Sequence, residues 1–180
     1  MIEAAEKKYK YKNLVFKRQN VLQLDERLGK FSVVLSTRCL INLHSWEEQK
    51  EALRRIHRHL TPFGRLILIE GTQQGRSALN NLRLALALKA MPPVWHNQDF
   101  DERKLKPFLK GLFRLEEDIR FGFYDVLTRV CYPKAIFPKE PQYGTSLHAA
   151  ARNLTRLFHG DPLPQYSREF VMILKKEKHK

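Results

Sequence analysis

The stretch FSVVLSTRCLINLHSWEEQKEALRRIHRHLTPFGRLILIE at residues 31–70 reads as strand, loop, capped helix, turn and second strand, which together make a parallel β-α-β unit. Residues 31–35 form a short apolar run that opens into Ser36, Thr37 and Arg38, the polar loop expected at the carboxyl end of a buried parallel strand. Ligands of open α/β sheets bind at such ends. Ser45 with Glu48 three residues later is a capping box, and Leu53, Ile56 and Leu60 then recur at helical spacing. Pro62 cannot continue that helix, Gly64 supplies a permissive turn, and Leu66, Ile67, Leu68 and Ile69 predict a second buried strand.

The string from Leu60 to Glu70, L-T-P-F-G-R-L-I-L-I-E, resembles the L-x-P-G-G-x-L-x-x-x-E signature of class I S-adenosylmethionine-dependent methyltransferases, with Phe63 in place of the first glycine. With residues 33–43 ahead of it, the unit is similar to the fourth strand, following helix and fifth strand of that Rossmann-like fold. Under the same alignment Met1-Ile2-Glu3-Ala4-Ala5 resembles the helix after the second strand, and residues 13–18 the third strand. Asn20, Val21 and Leu22 then stand where the family's D-A-x-x-L stretch lies beside adenine. The resemblance implies S-adenosylmethionine as cofactor, with Asn20, Val21, Leu22, Ser36 and Thr37 as candidate cofactor-binding residues. Asn20 replaces the usual aspartate and can offer only its amide.

No Gly-rich turn precedes this region, and none of the eight glycines falls in a G-x-G-x-x-G arrangement. In the family the first two strands lie between the third and the fourth, so their absence removes the middle of the sheet. Unpaired strand backbone and an apolar face would then meet water. The expectation is a partial domain, incomplete at the amino terminus, that an amino-terminal fragment would complete. The alternative is a closed-up sheet in which the third strand pairs with the fourth.

At 180 residues and 43% hydrophobic, the chain can bury a substantial core. No run is long and apolar enough to span a bilayer and no charged-then-apolar leader is present, so the expected location is the cytoplasm. Cys39 and Cys131 lack metal-type spacing and read as reduced structural thiols. The net charge of +14, from 33 Lys and Arg against 19 Asp and Glu, would suit a phosphate-rich partner. Most positives are scattered, however, with clusters only at Lys7, Lys8, Lys10, Lys12, Lys17 and Arg18 and in the tail at residues 175–180. A solvated basic surface is the simpler reading.

Beyond Glu70 the pattern elaborates the same domain, with residues 1–70 as a partial cofactor-binding core and 71–180 as substrate-side helices and a closing antiparallel pair. Ser77 begins an Ala/Leu-rich helix that ends before Met91-Pro92-Pro93, and Asp99 with Glu102 makes a second capping box ahead of a helix containing Pro107. Alternation over residues 113–123 predicts a half-buried strand, and residues 168–176 predict a strand apolar on both faces. Leu147, Ala151, Leu154 and Phe158 mark a helix between them, followed by a Gly160-Asp161-Pro162 turn. The segment from Tyr124 to Pro133 also resembles a Y-x-x-x-S-R-x-x-Y-P pattern of uncharacterised methyltransferases, with Thr128 at the serine.

Methyl transfer from a sulfonium is an in-line displacement in which proximity carries much of the catalysis, and a base is needed only when the acceptor must lose a proton. His44 could be that base, against packing beside the helix start. Arg38 could hold an acceptor carboxylate or phosphate, against a surface pairing with Glu70 or solvent. Glu70 reads as a strand-end acid hydrogen-bonded to backbone. His57 and His59, two apart on a helix, cannot share a face, and no metal site is expected. Trp46, Trp95 and the phenylalanines of 113–123 read as core rather than base-stacking platforms. Three functions follow: a methyltransferase, or its carboxyl-terminal portion, acting on a small-molecule, sugar or lipid-linked acceptor; a non-catalytic remnant or regulatory subunit of that fold; and a basic nucleic-acid-binding module.

Overall fold

A computed structural model describes residues 2–177; Met1 of the opening motif and Lys178, His179 and Lys180 of the basic tail lie outside the described residues. A short helix α1 (Ile2–Lys8) buries none of its residues and leads into chain without regular structure. Strand β1 (Phe31–Thr37), helix α2 (Trp46–Arg58) and strand β2 (Leu60–Gly71) form the expected crossover unit, with β1 and β2 parallel. Helices α3 (Gln73–Ala85) and α4 (Glu102–Lys110) follow, then strand β3 (Phe113–Arg120). Helix α5 (Gly122–Val126), a π turn (Leu127–Cys131) and helix α6 (Tyr132–Ile136) run on without a break. Helix α7 (Ser146–Thr155) and strand β4 (Glu169–Lys176) complete the chain. The sheet order is β1-β2-β4-β3, with β4 antiparallel to both neighbours.

One face of this sheet is the core. Leu66 and Leu68 of β2, Phe170, Met172 and Leu174 of β4, and Phe113 of β3 pack against Leu53 and Ile56 of α2 and Leu105 and Leu109 of α4. The capping residues act as their chemistry requires, with one shift. Ser45 Oγ accepts from the Glu48 N–H at 3.2 Å, while the Glu48 carboxylate accepts from the N–H of His44 at 2.7 Å instead of that of Ser45. Gly75 is needed for packing, because a Cβ there would lie 1.6 Å from the Ser167 carbonyl oxygen.

The opposite face is less covered. Leu35, Ile67 and Ile173 lie side by side in register, the last two half-buried and Leu35 61% exposed, with Val33 52% exposed on the same strand. Edge strand β1 carries both of these exposed side chains.

Several expectations are corrected. Residues 13–18 form no strand, because no ladder partner lies beside them, and the closed-up sheet does not form. Strand β3 ends at Arg120 and is an edge strand with a register shift between Leu115 and Glu117, so Leu115 and Ile119 are exposed and Phe123 belongs to α5. Helix α3 starts at Gln73 rather than Ser77. The cap of α4 is Asp101, which accepts from the Arg103 N–H at 3.1 Å, whereas Asp99 pairs with Arg76. Pro107 is accommodated inside α4.

Candidate active site

The loop leaving β1 is built around one carboxylate. Glu70, at the end of β2, has no exposed surface. Its Oε1 accepts from the backbone N–H of Cys39 at 3.1 Å and of Leu40 at 3.0 Å, and its Oε2 accepts from the N–H of Ile41 at 3.3 Å. The Ser36 hydroxyl donates to the same acid at 3.2 Å. Burial pushes the Glu70 carboxyl above its ordinary range, opposed by these donors, which favour the charged form. A strand-end acid therefore fixes the first turn of the loop. Asn42 adds a bond from its Nδ2 to the Arg38 carbonyl at 2.6 Å, and Gln49 donates to the carbonyls of Leu40 at 3.2 Å and Gln98 at 2.7 Å.

Arg38 stands where the strand ends, with φ at 46°, in the left-handed region. Its guanidinium pairs with Glu169, the first residue of β4, rather than with Glu70 or with solvent alone. Ser36 is buried and committed to Glu70, while Thr37 is exposed. His44 is exposed, and its backbone N–H is held by Glu48. Asn20 Oδ1 accepts from the Leu22 N–H at 2.9 Å, so the asparagine caps the turn that Val21 and Leu22 enter. Those two side chains are half-buried and pack against the core. Arg38, Ser36 and Thr37 thus share one strand end, and Asn20, Val21 and Leu22 share a separate turn packed on α2.

At the same end of the sheet the antiparallel pair is tied down by charge. Glu102 accepts from Arg120 at 2.9 and 2.8 Å and from the Thr72 hydroxyl at 2.6 Å. Burial alone would raise its carboxyl, but Arg120, Thr72 and Lys106 bring it down to about 2. Asp125 is buried and accepts from the Arg168 backbone N–H at 2.9 Å and from its side chain at 3.1 Å, although burial still pushes the acid upward. Between α5, α7 and the start of β4 lies a cavity of about 410 Å³, walled in part by Phe121 and Tyr124 and reaching Glu169. The π turn borders this region, with the buried Thr128 hydroxyl bonded to the Tyr124 carbonyl at 2.8 Å. Such turns recur at functional sites. Sequence reasoning marked the Tyr124 to Pro133 segment but assigned it no chemistry, and Asp125 and Glu169 carried no signal that distinguishes them from surface acids.

Among solved structures, the chain is similar to the methyltransferase in the complex with the Haloferax volcanii Trm112 methyltransferase activator, at 11% identity and a TM-score of 0.60 over 100% of this chain and 68% of that one. It is also similar to the magnesium protoporphyrin IX methyltransferase of Synechocystis PCC 6803 with bound S-adenosylhomocysteine, at 13% identity and a TM-score of 0.53 over 97% of this chain and 57% of that one. The citrinin polyketide synthase CMeT domain matches at 17% identity and a TM-score of 0.56, over 99% of this chain and 37% of that one. In sequence, residues 1–68 match the family model of a methyltransferase domain. The chain has the class I methyltransferase fold. Within that fold it spans just over half of the Synechocystis enzyme and little over a third of the CMeT domain. No curated protein matches it in sequence. Among the described residues no group of three or more His, Cys, Asp and Glu could hold a metal, and no helix is long and apolar enough to cross a membrane.

Proposed function

We propose that this chain forms the acceptor-side portion of an S-adenosylmethionine-dependent methyltransferase that modifies a small-molecule, sugar or lipid-linked acceptor. The observation that carries this reading is the loop of β1 held by Glu70 beside the antiparallel pair β4 and β3, since open α/β sheets bind ligands at such strand ends.

The residues present fit one side of the cofactor. Asn20 keeps its amide Nδ2 outside its own cap, and Thr37 is exposed at the strand end, so these two would meet the adenosine side. A backbone cradle for the methionine end would need a Gly-rich turn, and the sequence contains none. An amino-terminal portion supplying that turn would also pair with the open edge of β1 and cover the face that carries Val33 and Leu35. When bound, the cofactor's sulfonium supplies the methyl group. The chain's own part is to orient the acceptor along the loop, with His44 available on that loop as a proton acceptor and Arg38 fixing the loop to β4.

Asn20, which stands where the family stretch carries an aspartate and whose Oδ1 is committed to the Leu22 N–H, favours a second reading, a non-catalytic partner that retains the fold. Calorimetric titration of the full chain with S-adenosylmethionine and S-adenosylhomocysteine separates the two. Saturable binding supports the enzyme, and a folded chain that binds neither supports the non-catalytic partner.

A further inference from the structure

We propose that the cavity between α5, α7 and the start of β4 is an acceptor site for an aromatic or similarly flat molecule bearing a carboxylate or phosphate, with Arg152 and Arg156 holding the anion. The assignment of an acceptor rests on the methyltransferase reading; the anion site itself does not.

Charged side chains line the cavity. Its two acids are already engaged. Asp125 is held by the side chain and backbone of Arg168, with Arg129 at 4.0 Å, and Glu169 is paired with Arg38. Its three arginines are not equally engaged. Arg168 faces Asp125, whereas Arg152 and Arg156 line the cavity with no ion pair or hydrogen bond among the described residues. Four residues apart, they project from the same side of α7 and its cap. Two guanidinium groups side by side, with five fixed donors each, match the oxygens of a carboxylate or phosphate better than any neutral group.

The remaining wall is supplied by Phe121 and Tyr124, against which a flat apolar body can lie. Thr155 adds no free donor, because its hydroxyl is bonded to the Ala151 carbonyl at 2.8 Å. A volume of about 410 Å³ suits a small molecule. The rim residue Glu169 is joined through Arg38 to the loop after β1, so a molecule anchored by its anion at α7 would extend toward the strand ends.

Titration of the isotope-labelled full chain by NMR tests this, using phenyl phosphate, benzoate, benzyl alcohol and inorganic phosphate as probes. The expected result is saturable shifts in the amides of residues 121–125 and 152–156 with phenyl phosphate or benzoate. Benzyl alcohol and inorganic phosphate should each bind at least about tenfold more weakly, as loss of a charge-assisted pair or of the ring wall requires. The tighter of the two aromatic anions tells a phosphate acceptor from a carboxylate one. The double variant Arg152→Gln with Arg156→Gln, exposed positions whose replacement leaves the core intact, should weaken binding by about tenfold or more. Arg27→Gln, paired only with Asp25, should change nothing.

Equal binding of benzyl alcohol, equal binding of inorganic phosphate, or an unaffected double variant would each overturn the site. Titration of S-adenosylhomocysteine into the same sample keeps the two readings apart. Cofactor binding without aromatic-anion binding overturns this site alone, and anion binding without cofactor binding retains the anion site and overturns its role as an acceptor site.

Discussion

Replacing Glu70 by alanine should be among the most damaging single changes in the chain, and the size of the effect follows from its donors. The carboxylate accepts from three backbone N–H groups and one hydroxyl, and the amides of Leu40 and Ile41 belong to fully buried residues. A buried donor left without an acceptor costs about 1–3 kcal/mol, so the two buried amides alone give about 4 kcal/mol for Glu70→Ala. Removing the burial cost of the acid offsets part of that loss, the exposed Cys39 can turn to solvent, and the buried Ser36 hydroxyl adds to the loss. Glu70→Gln keeps one oxygen for Cys39, Leu40 and Ser36 but turns an amide NH₂ toward the Ile41 N–H, for a cost of about 1–2 kcal/mol. Urea unfolding followed by the fluorescence of Trp46, which packs edge-on against Phe100 and Phe108, measures both values. Hydrogen exchange should also accelerate selectively at Leu40 and Ile41. A loss below about 1 kcal/mol for Glu70→Ala, with these amides still protected, would refute the claim that this acid organises the loop.

Three further perturbations test other parts of the structure. The Glu102 carboxyl lies at about 2 in the folded chain against an ordinary 4.5, so its stabilisation is fully present above pH 4.5 and is lost as pH falls toward 2. That difference corresponds to about 3 kcal/mol, and Glu102→Gln should remove this part of the acid dependence in urea unfolding across the same window. Gly75→Ala should lower stability by about 2–4 kcal/mol, read from its thermal midpoint, because the new methyl would collide with the rigid Ser167 carbonyl. Phe63→Gly should raise stability by about 0.5–1 kcal/mol, since relief of the strained backbone at φ 62° outweighs the loss of a largely exposed ring and its contact with Lys175.

Much of the fold was legible because the relevant signals are local. The cap at Ser45, the apolar run of β2 and the alternation of β4 each follow from their own residues, and the structure contains the corresponding elements, although β2 already begins at Leu60 and takes in the Pro62–Gly64 stretch that reads as a turn. Phe63 shows how far such reading reaches: the residue that breaks the glycine pattern adopts the left-handed backbone that glycine would take. Residues 13–18 mark the limit. Their composition permits a strand, but a strand exists only where a neighbour accepts its hydrogen bonds, and none is present. The same limit explains β3, whose alternation predicts a buried face although its position at the sheet edge leaves Leu115 and Ile119 in contact with solvent.

The candidate site divides along the same line. Glu70 was readable as a strand-end acid bonded to backbone, since both its partners and its position lie within one β-α-β unit. Arg38 was not, because its partner Glu169 is brought beside it only when β4 inserts between β2 and β3. That insertion also decides which charges stay unpaired beside the loop. With Arg38 taken up by Glu169 and Arg168 by Asp125, Arg152 and Arg156 are, among the described residues lining the cavity, the arginines left without an ion pair, on a helix and its cap that sequence reasoning treated only as packing. Antiparallel closure of the sheet therefore ties up the arginine at the strand end, about which the motif informs, and leaves the two unpaired guanidinium groups on α7 and its cap, about which it does not.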